Sequence, residues 1–433
     1  MRFPGQRKSK HYFPVTQATP TFDSAHLGPS ETHICGIDEL VVDIEAHVDD
    51  SLLERFALGK GLSQWLPQER ADELYAYLQT QQLIRYEYAG GTGGNTLHNY
   101  AMLADDHAVL LGVMSETITL NSYAYRYLCD TSSRVDLSHL QPVPGAIGRC
   151  ITLITPDNER TFVISPGCMS DLRPESIPED IVATSSALLI SAYLICSNPD
   201  APIAAATYRA VEIANRHQVP VVFTLGTGLL VTKYRDMLRA FIRDHVQVLA
   251  MNEQEAEALT GESDPIIATQ AALELADLVL TTAGAEGLYL GGYCDKGSLR
   301  PTRQTLVRHP QLDAYNRYEY SRPMRRQQCQ QPVAIFTHLA PYMGGPRKIV
   351  NTNGAGDAAL AAILHDLAAQ HYHAGRCPDS PKHNRPYLAY SSLSQLGRYA
   401  NRVSYEVLSQ HRTRLTRGLP EREDSLEKAY WAS

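Results

Sequence analysis

The sequence lacks the features of a membrane protein or a nucleic-acid-binding protein. None of its apolar runs approaches the roughly 20 residues of a transmembrane helix. The first residues are basic, but no apolar stretch follows them, which argues against a secretory signal. Positive charge is not in excess either, because 39 Lys and Arg stand against 47 Asp and Glu, a formal net charge of −8. Binding to nucleic acid phosphates needs a surplus of basic residues. We therefore expect no membrane span and no nucleic acid partner.

Closely spaced cysteines are also missing. The eight cysteines are scattered along the chain, a spacing that fits neither a zinc site nor a disulfide framework. Proteins without disulfides are typical of reducing compartments. We therefore predict a cytoplasmic location.

What the sequence does contain is an alternation of two kinds of segment in its middle. The strand-like apolar runs are 187–195, 219–225, 246–251 and 278–282, and the helix-like stretches between and after them are 203–217, 235–244, 253–259 and 266–276. Such alternation predicts a parallel sheet covered by helices on both faces. Ligands of such sheets bind at the carboxyl ends of the strands.

The remaining segments predict additions to this core. Residues 1–32 are polar and predict a loosely ordered arm, and residues 412–433 are charged and predict a tail. A strand is expected over 34–48. The segment 147–165 contains two apolar runs around Pro156-Asp157-Asn158 and predicts a hairpin. Residues 294–348 interrupt the alternation with many Arg, Gln, Pro and Tyr residues, so we interpret them as an insertion.

Asn353-Gly354-Ala355-Gly356-Asp357 runs directly into an apolar helix predicted over 358–369. Glycines ahead of a helix leave N–H groups pointing outward, and the helix dipole favours an anion there. A phosphoryl group in transfer carries such charge, and Asp357 could take the proton of an attacking hydroxyl. From these five residues alone a second interpretation stays open, in which Asp357 only caps the helix.

Three other turns carry weaker signals. Gly90-Gly91-Thr92-Gly93-Gly94-Asn95 matches neither the P-loop nor the dinucleotide fingerprint. Taken alone, it favours a flexible loop over a ligand-binding turn. Asn252 and Glu255 have capping-box spacing and could also orient the water ligands of Mg²⁺. The turn 281–287 could admit phosphates or simply reverse the chain.

Together these turns resemble the signatures of the ribokinase (PfkB-type) family of carbohydrate and nucleoside kinases. Its Gly-Gly-x-x-x-Asn turn matches Gly90, Gly91 and Asn95, and its Asp-Thr-x-Gly-Ala-Gly-Asp turn matches residues 352–357. The family's Asn-x-x-Glu matches Asn252 and Glu255, and its Thr-x-Gly-x-x-Gly matches Thr282, Gly284 and Gly287. One position departs, because residue 351 is Asn where the family usually has Asp. This departure puts in doubt a role of residue 351 in metal or phosphate binding.

The resemblance implies an α/β fold: a Rossmann-type parallel sheet core flanked by helices, with a small β-sheet lid formed by strands near 34–48, 84–90 and 147–165. The kinase domain would span 33–411.

The resemblance also implies roles for residues. The catalytic group is Gly354, Ala355, Gly356 and Asp357; the substrate-binding group is Asp38, Asp43, Gly90, Gly91, Thr92, Gly93, Gly94 and Asn95; the ATP-binding group is Asn252, Glu255, Thr282, Gly284, Gly287, Asn353 and Asn401. Glu255 would bind Mg²⁺ indirectly, through water. Arg149, on the hairpin, is a further pocket candidate, with a solvated strand residue as the simpler interpretation.

The segment from Gly36 through Asp43 to Leu53 is similar to the opening of the adenosine kinases of this family, whose acid binds the ribose hydroxyls. The resemblance over the whole length implies transfer of the ATP γ-phosphoryl group to the 5′-hydroxyl of inosine or guanosine. We also expect a homo-oligomer. The alternatives are adenosine or a free sugar as acceptor, and a nucleotide-sensing protein that keeps the fold without the chemistry.

Overall fold

The computed structural model describes residues 32–103, 107–120, 122–157, 159–342, 349–416 and 418–419. The strands are, in chain order, β1 (His33–Ile37), β2 (Val41–His47), β3 (Ser63–Trp65), β4 (Ile84–Ala89), β5 (His107–Leu111), β6 (Val113–Ser115), β7 (Val135–Asp136), β8 (Gln141–Val143), β9 (Gly148–Ile154), β10 (Arg160–Ser165), β11 (Leu188–Ser191), β12 (Val221–Thr224), β13 (Val248–Asn252), β14 (Leu278–Thr282), β15 (Leu288–Asp295), β16 (Arg308–His309), β17 (Leu312–Ala314) and β18 (Pro332–Leu339).

The helices are α1 (Asp50–Arg55), α2 (Gln68–Thr80), α3 (Thr92–Leu103), α4 (Tyr123–Cys129), α5 (Glu179–Thr184), α6 (Tyr193–Cys196), α7 (Pro202–Arg216), α8 (Gly228–His245), α9 (Glu253–Thr260), α10 (Pro265–Leu273), α11 (Ala355–Arg376) and α12 (Leu393–Leu408). Among the described residues, none of these helices combines the length and the apolar character that crossing a membrane requires.

The main sheet has nine strands in the order β18-β15-β14-β13-β12-β11-β1-β5-β7. The seven strands from β14 to β7 are parallel to their neighbours, and β15 and β18 are antiparallel additions at one edge. The central strands are buried along nearly their whole length, as their continuous apolar runs predict for a sheet covered on both faces. The predicted parallel sheet is therefore confirmed.

A second sheet of five strands, in the order β3-β10-β9-β2-β4, forms a smaller unit beside the first. The predicted hairpin is present, because β9 and β10 pair antiparallel around the turn at 155–159. Strand β2 shows an alternating pattern of burial, so one face of this sheet packs against apolar residues while the other is more open.

Helix α11 lies at the centre of the molecule, packed against α3 and α12. Its run Ala358–Ala369 is buried throughout, because small alanine side chains allow neighbouring helices to approach closely on several sides. The helix predicted over 358–369 was too short at both ends, since α11 begins at Ala355, so that Gly356 and Asp357 lie in its first turn, and continues to Arg376. The last helix, predicted over 391–410, is α12.

Two other predictions need correction. The strand predicted over 34–48 is two strands in different sheets, because the chain turns at residues 38–40, so only its second half belongs to the lid. The interpretation of 294–348 as an insertion is wrong at its ends, since β15 reaches residue 295 and β18 pairs with it along eight positions. The segment predicted as a charged tail, 412–433, contributes to the folded part of the molecule at residues 413–415, which are buried. The predicted arm, up to residue 31, lies outside the described residues.

Candidate active site

The site candidates collect at one edge of the main sheet, where its parallel strands end. Asp38 follows β1, Asn252 ends β13 and Thr282 ends β14. The carboxyl ends of parallel strands share an edge, so residues distant in the sequence are brought together there. The turns at 90–95 and 353–357 reach the same place, since the Nδ2 amide of Asn95 donates to Oδ2 of Asp357 at 3.2 Å.

Asp357 is half-buried in the first turn of α11. Burial raises the pKa of its carboxyl to about 7, the Asn95 hydrogen bond lowers it, and the negative charges of Asp38, Asp43 and Glu255 raise it further. A carboxyl with a pKa near neutrality is suited to general-base catalysis. The N-cap residue of α11 is Gly354, and the Asp357 side chain accepts its hydrogen bond from Asn95, so the interpretation of Asp357 as a helix cap is not supported.

The turn before Asp357 leaves space on one side only. Gly354 has φ +77°, and a side chain there would collide with Thr413, so the turn is packed tightly against the C-terminal segment. A side chain at Gly356 would meet nothing within 4 Å. The N–H groups of the first turn have no partner within the helix, and this open side offers them to a ligand. The arrangement fits an anion such as a phosphoryl group.

The first glycine cluster packs around two carboxylates of the same chain. A side chain at Gly90 would lie 2.2 Å from Oδ2 of Asp43, and one at Gly91 would lie 2.2 Å from Oδ2 of Asp38. Thr92, Gly93, Gly94 and Asn95 form the first turn of α3. The interpretation of this cluster as a flexible loop is therefore not supported, because its glycines are required by close packing.

Asp38 and Asp43 occupy different surroundings. Asp38 is 4% exposed, and its Oδ2 accepts the backbone N–H of Gly94 at 2.7 Å, so it holds the first turn of α3. Burial raises its pKa to about 6, while hydrogen bonds from backbone N–H groups and the positive charge of Arg414 lower it. Asp43 is only half-buried, and burial raises its pKa to about 7, with Arg414 lowering it. Asp43 is the one with a surface that a ligand can reach.

Asn252 and Glu255 form a complete capping box at the start of α9. Oε2 of Glu255 accepts the backbone N–H of Asn252 at 3.0 Å, and Oε1 accepts its Nδ2 amide at 2.8 Å. Burial raises the pKa of Glu255 to about 7. No group of three or more His, Cys, Asp or Glu within the described ranges could hold a metal ion. Both carboxylate oxygens of Glu255 already accept hydrogen bonds from Asn252, so a contact to Mg²⁺ through water fits better than direct coordination, since each oxygen can accept a further hydrogen bond.

The remaining nucleotide candidates lie in two groups. A side chain at Gly284 would meet open space, whereas one at Gly287 would collide with the carbonyl of Leu339. Asn401 donates to the carbonyl of Ala340, a residue that directly follows β18 and lies beside Gly287. Asn353 is exposed and accepts a hydrogen bond of 3.5 Å from Arg160. This bond connects the lid to the turn that precedes Asp357.

Sequence reasoning missed three residues of the site and misjudged a fourth. Tyr193 lies two residues after β11, in a segment that is helical and not part of the strand predicted over 187–195. The charges of Glu255 and Asp357 contribute to its raised pKa after burial. The sequence carried no signal for Arg160 or Arg414. Arg160 lies on a lid strand, and Arg414 lies in the segment predicted as a charged tail. Arg149 is neither a pocket residue nor solvated, because it is 1% exposed and donates to Tyr123 and Asp72 inside the lid.

Comparison with known proteins agrees with this arrangement. A family model described as "pfkB family carbohydrate kinase" matches residues 71–307. The guanosine-inosine kinase of Escherichia coli (strain K12) is 54% identical over 433 residues, covering all of both chains.

Solved structures share the fold at low sequence identity. Adenosine kinase from Sinorhizobium meliloti aligns with a TM-score of 0.62 and 23% identity, over 90% of this chain and 97% of that one. Ribokinase from Arabidopsis thaliana, complexed with ribose and ATP, aligns with a TM-score of 0.53 and 14% identity, over 88% and 94%. The ribokinase-like fold is thereby confirmed. The chain belongs to the pfkB family of carbohydrate kinases.

Proposed function

We propose that this protein is a purine nucleoside kinase that transfers the γ-phosphoryl group of ATP to the 5′-hydroxyl of inosine or guanosine. The observation that carries the proposal is the half-buried carboxyl of Asp357, with a pKa near 7, at the open N-terminus of α11. The choice of acceptor is supported by the full-length similarity to a guanosine-inosine kinase.

In the proposed mechanism Asp357 accepts the proton of the 5′-hydroxyl as that oxygen attacks the γ-phosphorus, and the bond from the γ-phosphorus to the bridging oxygen of the β-phosphate breaks, so that ADP leaves. The N–H groups of Gly354, Ala355 and Gly356 would stabilise the charge on the transferring group, since fixed dipoles there need no reorganisation. Asp43 would accept hydrogen bonds from the 2′- and 3′-hydroxyls of the ribose, a task that suits the two oxygens of a carboxylate. Asp38 would act on the substrate only indirectly, by holding the first turn of α3.

The nucleotide would lie between Asn252 and the 282–287 turn, with Asn353 and Asn401 at its margins. Mg²⁺, the usual partner of ATP phosphates, would be held through water by Glu255. A bound Mg²⁺ supplies positive charge that neutralises the phosphate oxygens.

A panel of acceptors tests the proposal. The purified protein is incubated with ATP and Mg²⁺ and with inosine, guanosine, adenosine or ribose, and ADP release is measured together with the phosphorylated product. We expect inosine and guanosine to give the highest kcat/KM. Preference for adenosine or ribose would assign a different acceptor, and ADP release with none of the four would contradict the kinase function.

Location and assembly belong to the same proposal. All eight cysteines are free, which supports a reducing, cytoplasmic location. A homo-oligomer remains part of the proposal, and light scattering of the purified protein tests it.

A further inference from the structure

The C-terminal segment that follows α12 enters the site. We call residues 411–415 the strap. Its position is fixed by bonds that do not involve the side chain of Arg414: the N–H of Leu415 donates to Oδ1 of Asn99 at 2.7 Å, its carbonyl oxygen lies 2.9 Å from Nε2 of His98, and Asn99 donates to the carbonyl of Thr413. The strap is therefore anchored to α3 independently of Arg414.

The guanidinium of Arg414 is buried at the centre of the site, with 4% of the residue exposed. It donates from Nε to Oδ1 of Asn95, from Nη2 to the carbonyl of Gly90 and from Nη1 to Oγ1 of Thr131, each at 2.9 Å. Its central carbon lies 4.9 Å from the ring centroid of Tyr127. A side chain at Gly94 would come within 2.8 Å of Nη2, so the glycine turn leaves the space that Arg414 fills.

This contact determines which way the amide of Asn95 faces. A guanidinium has only donors, so the atom of Asn95 that faces Arg414 must be the oxygen. The amide nitrogen is then the atom that faces Asp357, and it donates to Oδ2 at 3.2 Å. Without Arg414 the amide could turn over, and an oxygen would then face the Asp357 carboxylate.

The charge of Arg414 acts on the same cluster. It lowers the pKa of both Asp38 and Asp43, against burial, which raises them. The groups that accept hydrogen bonds from Arg414 are all neutral. The charge of Arg414 therefore acts on the carboxylates of Asp38 and Asp43 through space, without a direct hydrogen bond.

We propose that Arg414 is a positioning residue for phosphoryl transfer, which acts through Asn95 to orient Asp357 toward the nucleoside hydroxyl. Its positive charge also favours the ionised form of Asp43 for ribose binding. The inference rests on the proposed kinase function, but it assigns a role to a residue outside the motifs that indicate that function.

Arg414→Met and Asn95→Ala, alone and combined, test the coupling. A small misplacement of catalytic groups costs about 100-fold in rate, and we expect each single variant to lose kcat by about that factor. The double variant should lose little more than either single one, because both remove the same link. Arg412→Met is the matched control, since Arg412 lies in the strap but is exposed and pairs with Asp130; it should keep wild-type kcat.

Chemical rescue separates positioning from folding. A cavity of about 340 Å³, lined by Tyr88, His98 and Arg414, reaches the exposed Cys129 and Arg412, so a small solute can enter. In Arg414→Ala, millimolar guanidinium should restore part of kcat, whereas urea, which is similar in shape but neutral, should not. If Arg414→Ala does not fold, the same kinetics are measured on Arg414→Lys, which keeps the positive charge but lacks the planar set of N–H donors of a guanidinium. We expect the kcat of this variant to fall while its KM for the nucleoside changes less.

Any of three results would overturn the inference. They are additive losses of kcat in the double variant, equal effects of guanidinium and urea on Arg414→Ala, and wild-type kcat in Arg414→Met or Arg414→Lys. Absence of turnover in the wild-type protein would instead contradict the proposed function itself, so the two failures are distinguishable.

Discussion

Two half-buried carboxyl groups of the site, Asp43 and Asp357, carry the proposed chemistry, and their surroundings differ in a useful way. Both have a pKa raised by burial to about 7. Asp43 is close to the cation of Arg414, which favours its charged form. Asp357 accepts a hydrogen bond from a neutral amide instead. A ligand-binding carboxylate and a proton-accepting one are thus distinguished by their partners.

Asp357→Asn should lower kcat by about 10²–10⁴-fold, because general-base catalysis typically contributes that much. Nucleoside binding should persist, since asparagine keeps an oxygen that can accept the Asn95 amide. Steady-state kinetics with calorimetric titration of inosine measure both quantities. The base must be deprotonated, so in the wild-type protein kcat/KM should be retained above pH 7 and fall as pH drops through about 7.

Asp366→Asn is the control for this variant, because Asp366 is a buried carboxyl on the same helix whose oxygen accepts the N–H of Ser391, away from the site. It should leave kcat unchanged. Near-normal turnover in a folded Asp357→Asn protein would remove Asp357 from the mechanism.

Asp43→Asn should mainly raise the KM for the nucleoside. A hydrogen bond to a charged group contributes about 1.5–3 kcal/mol, which corresponds to roughly a 10- to 100-fold change in affinity. The KM for ATP should remain within about twofold. Kinetics at varied inosine and varied ATP measure the two constants, and the exposed Asp49, just beyond the same strand, gives the control Asp49→Asn. An unchanged KM for inosine would exclude the ribose role.

At the scale of the elements, segments with a strong repeating pattern could be predicted, and segments defined only by their contacts could not. Strand β14 was predicted with its observed limits, 278–282, because an apolar run bounded by polar residues marks a buried strand. The break between β1 and β2 was missed, since apolar residues continue on both sides of Asp38. The strap was missed because its polar residues have no periodicity, and Thr413 and Arg414 are buried only through contacts with residues far away in the sequence.

The same holds for the site. Asn95 and Asp357 are 262 residues apart, and only the resemblance of their motifs to a family placed both in one prediction. Arg414 matches none of those motifs. Its hydrogen bonds can be seen only when the fold brings the end of the chain back to the first glycine turn.

The departure at residue 351 has a structural reason within these contacts. The Nδ2 amide of Asn351 donates to the carbonyl of His411 at 2.8 Å, while its Oδ1 accepts the N–H of Asn353 at 3.0 Å. Asn351 therefore links the Asp357 turn to the strap. An aspartate could accept from Asn353 but would have no donor for His411.

Asn351→Asp should consequently loosen the strap and lower the free energy of unfolding by about 1–3 kcal/mol, because the half-buried hydrogen bond to the carbonyl of His411 is lost and that carbonyl then faces a carboxylate. We also expect kcat to fall, since Arg414 lies on the loosened segment. Urea unfolding and steady-state kinetics measure the two effects, and Asn198→Asp, an exposed site with the same change of charge, is the control. Equal stability of the two variants would show that the Asn351 bond to the strap contributes nothing.

At the scale of the whole molecule, the site concentrates carboxyl groups that the fold would hold more easily in the protonated form. Burial raises the pKa of Asp38 to about 6 and that of Asp43, Glu255 and Asp357 to about 7 each, compared with about 4 for exposed acids. At pH values between about 4 and 7 the folded protein binds more protons at these four carboxyl groups than the unfolded chain does. Their contribution to stability is therefore present at low pH and is lost as pH rises toward 7.

Asp357→Asn should for this reason stabilise the protein while it abolishes most activity. The gain in melting temperature over wild type should be smallest at the low end of the range, near pH 5, and should grow up to about pH 7, because over this range the carboxyl of Asp357 is ionised in the unfolded chain but protonated in the folded protein. Above about pH 7 the gain should level off, because the carboxyl is then ionised in both states. Thermal unfolding of both proteins from pH 5 to 8, without ligands, measures it, with Asp49→Asn as the exposed control. A gain that is absent at pH 8, or equal at every pH, would contradict a strained, ionised Asp357. A gain that grows with pH as expected would mean that the negative charge of Asp357, which catalysis needs, lowers the stability of the folded protein.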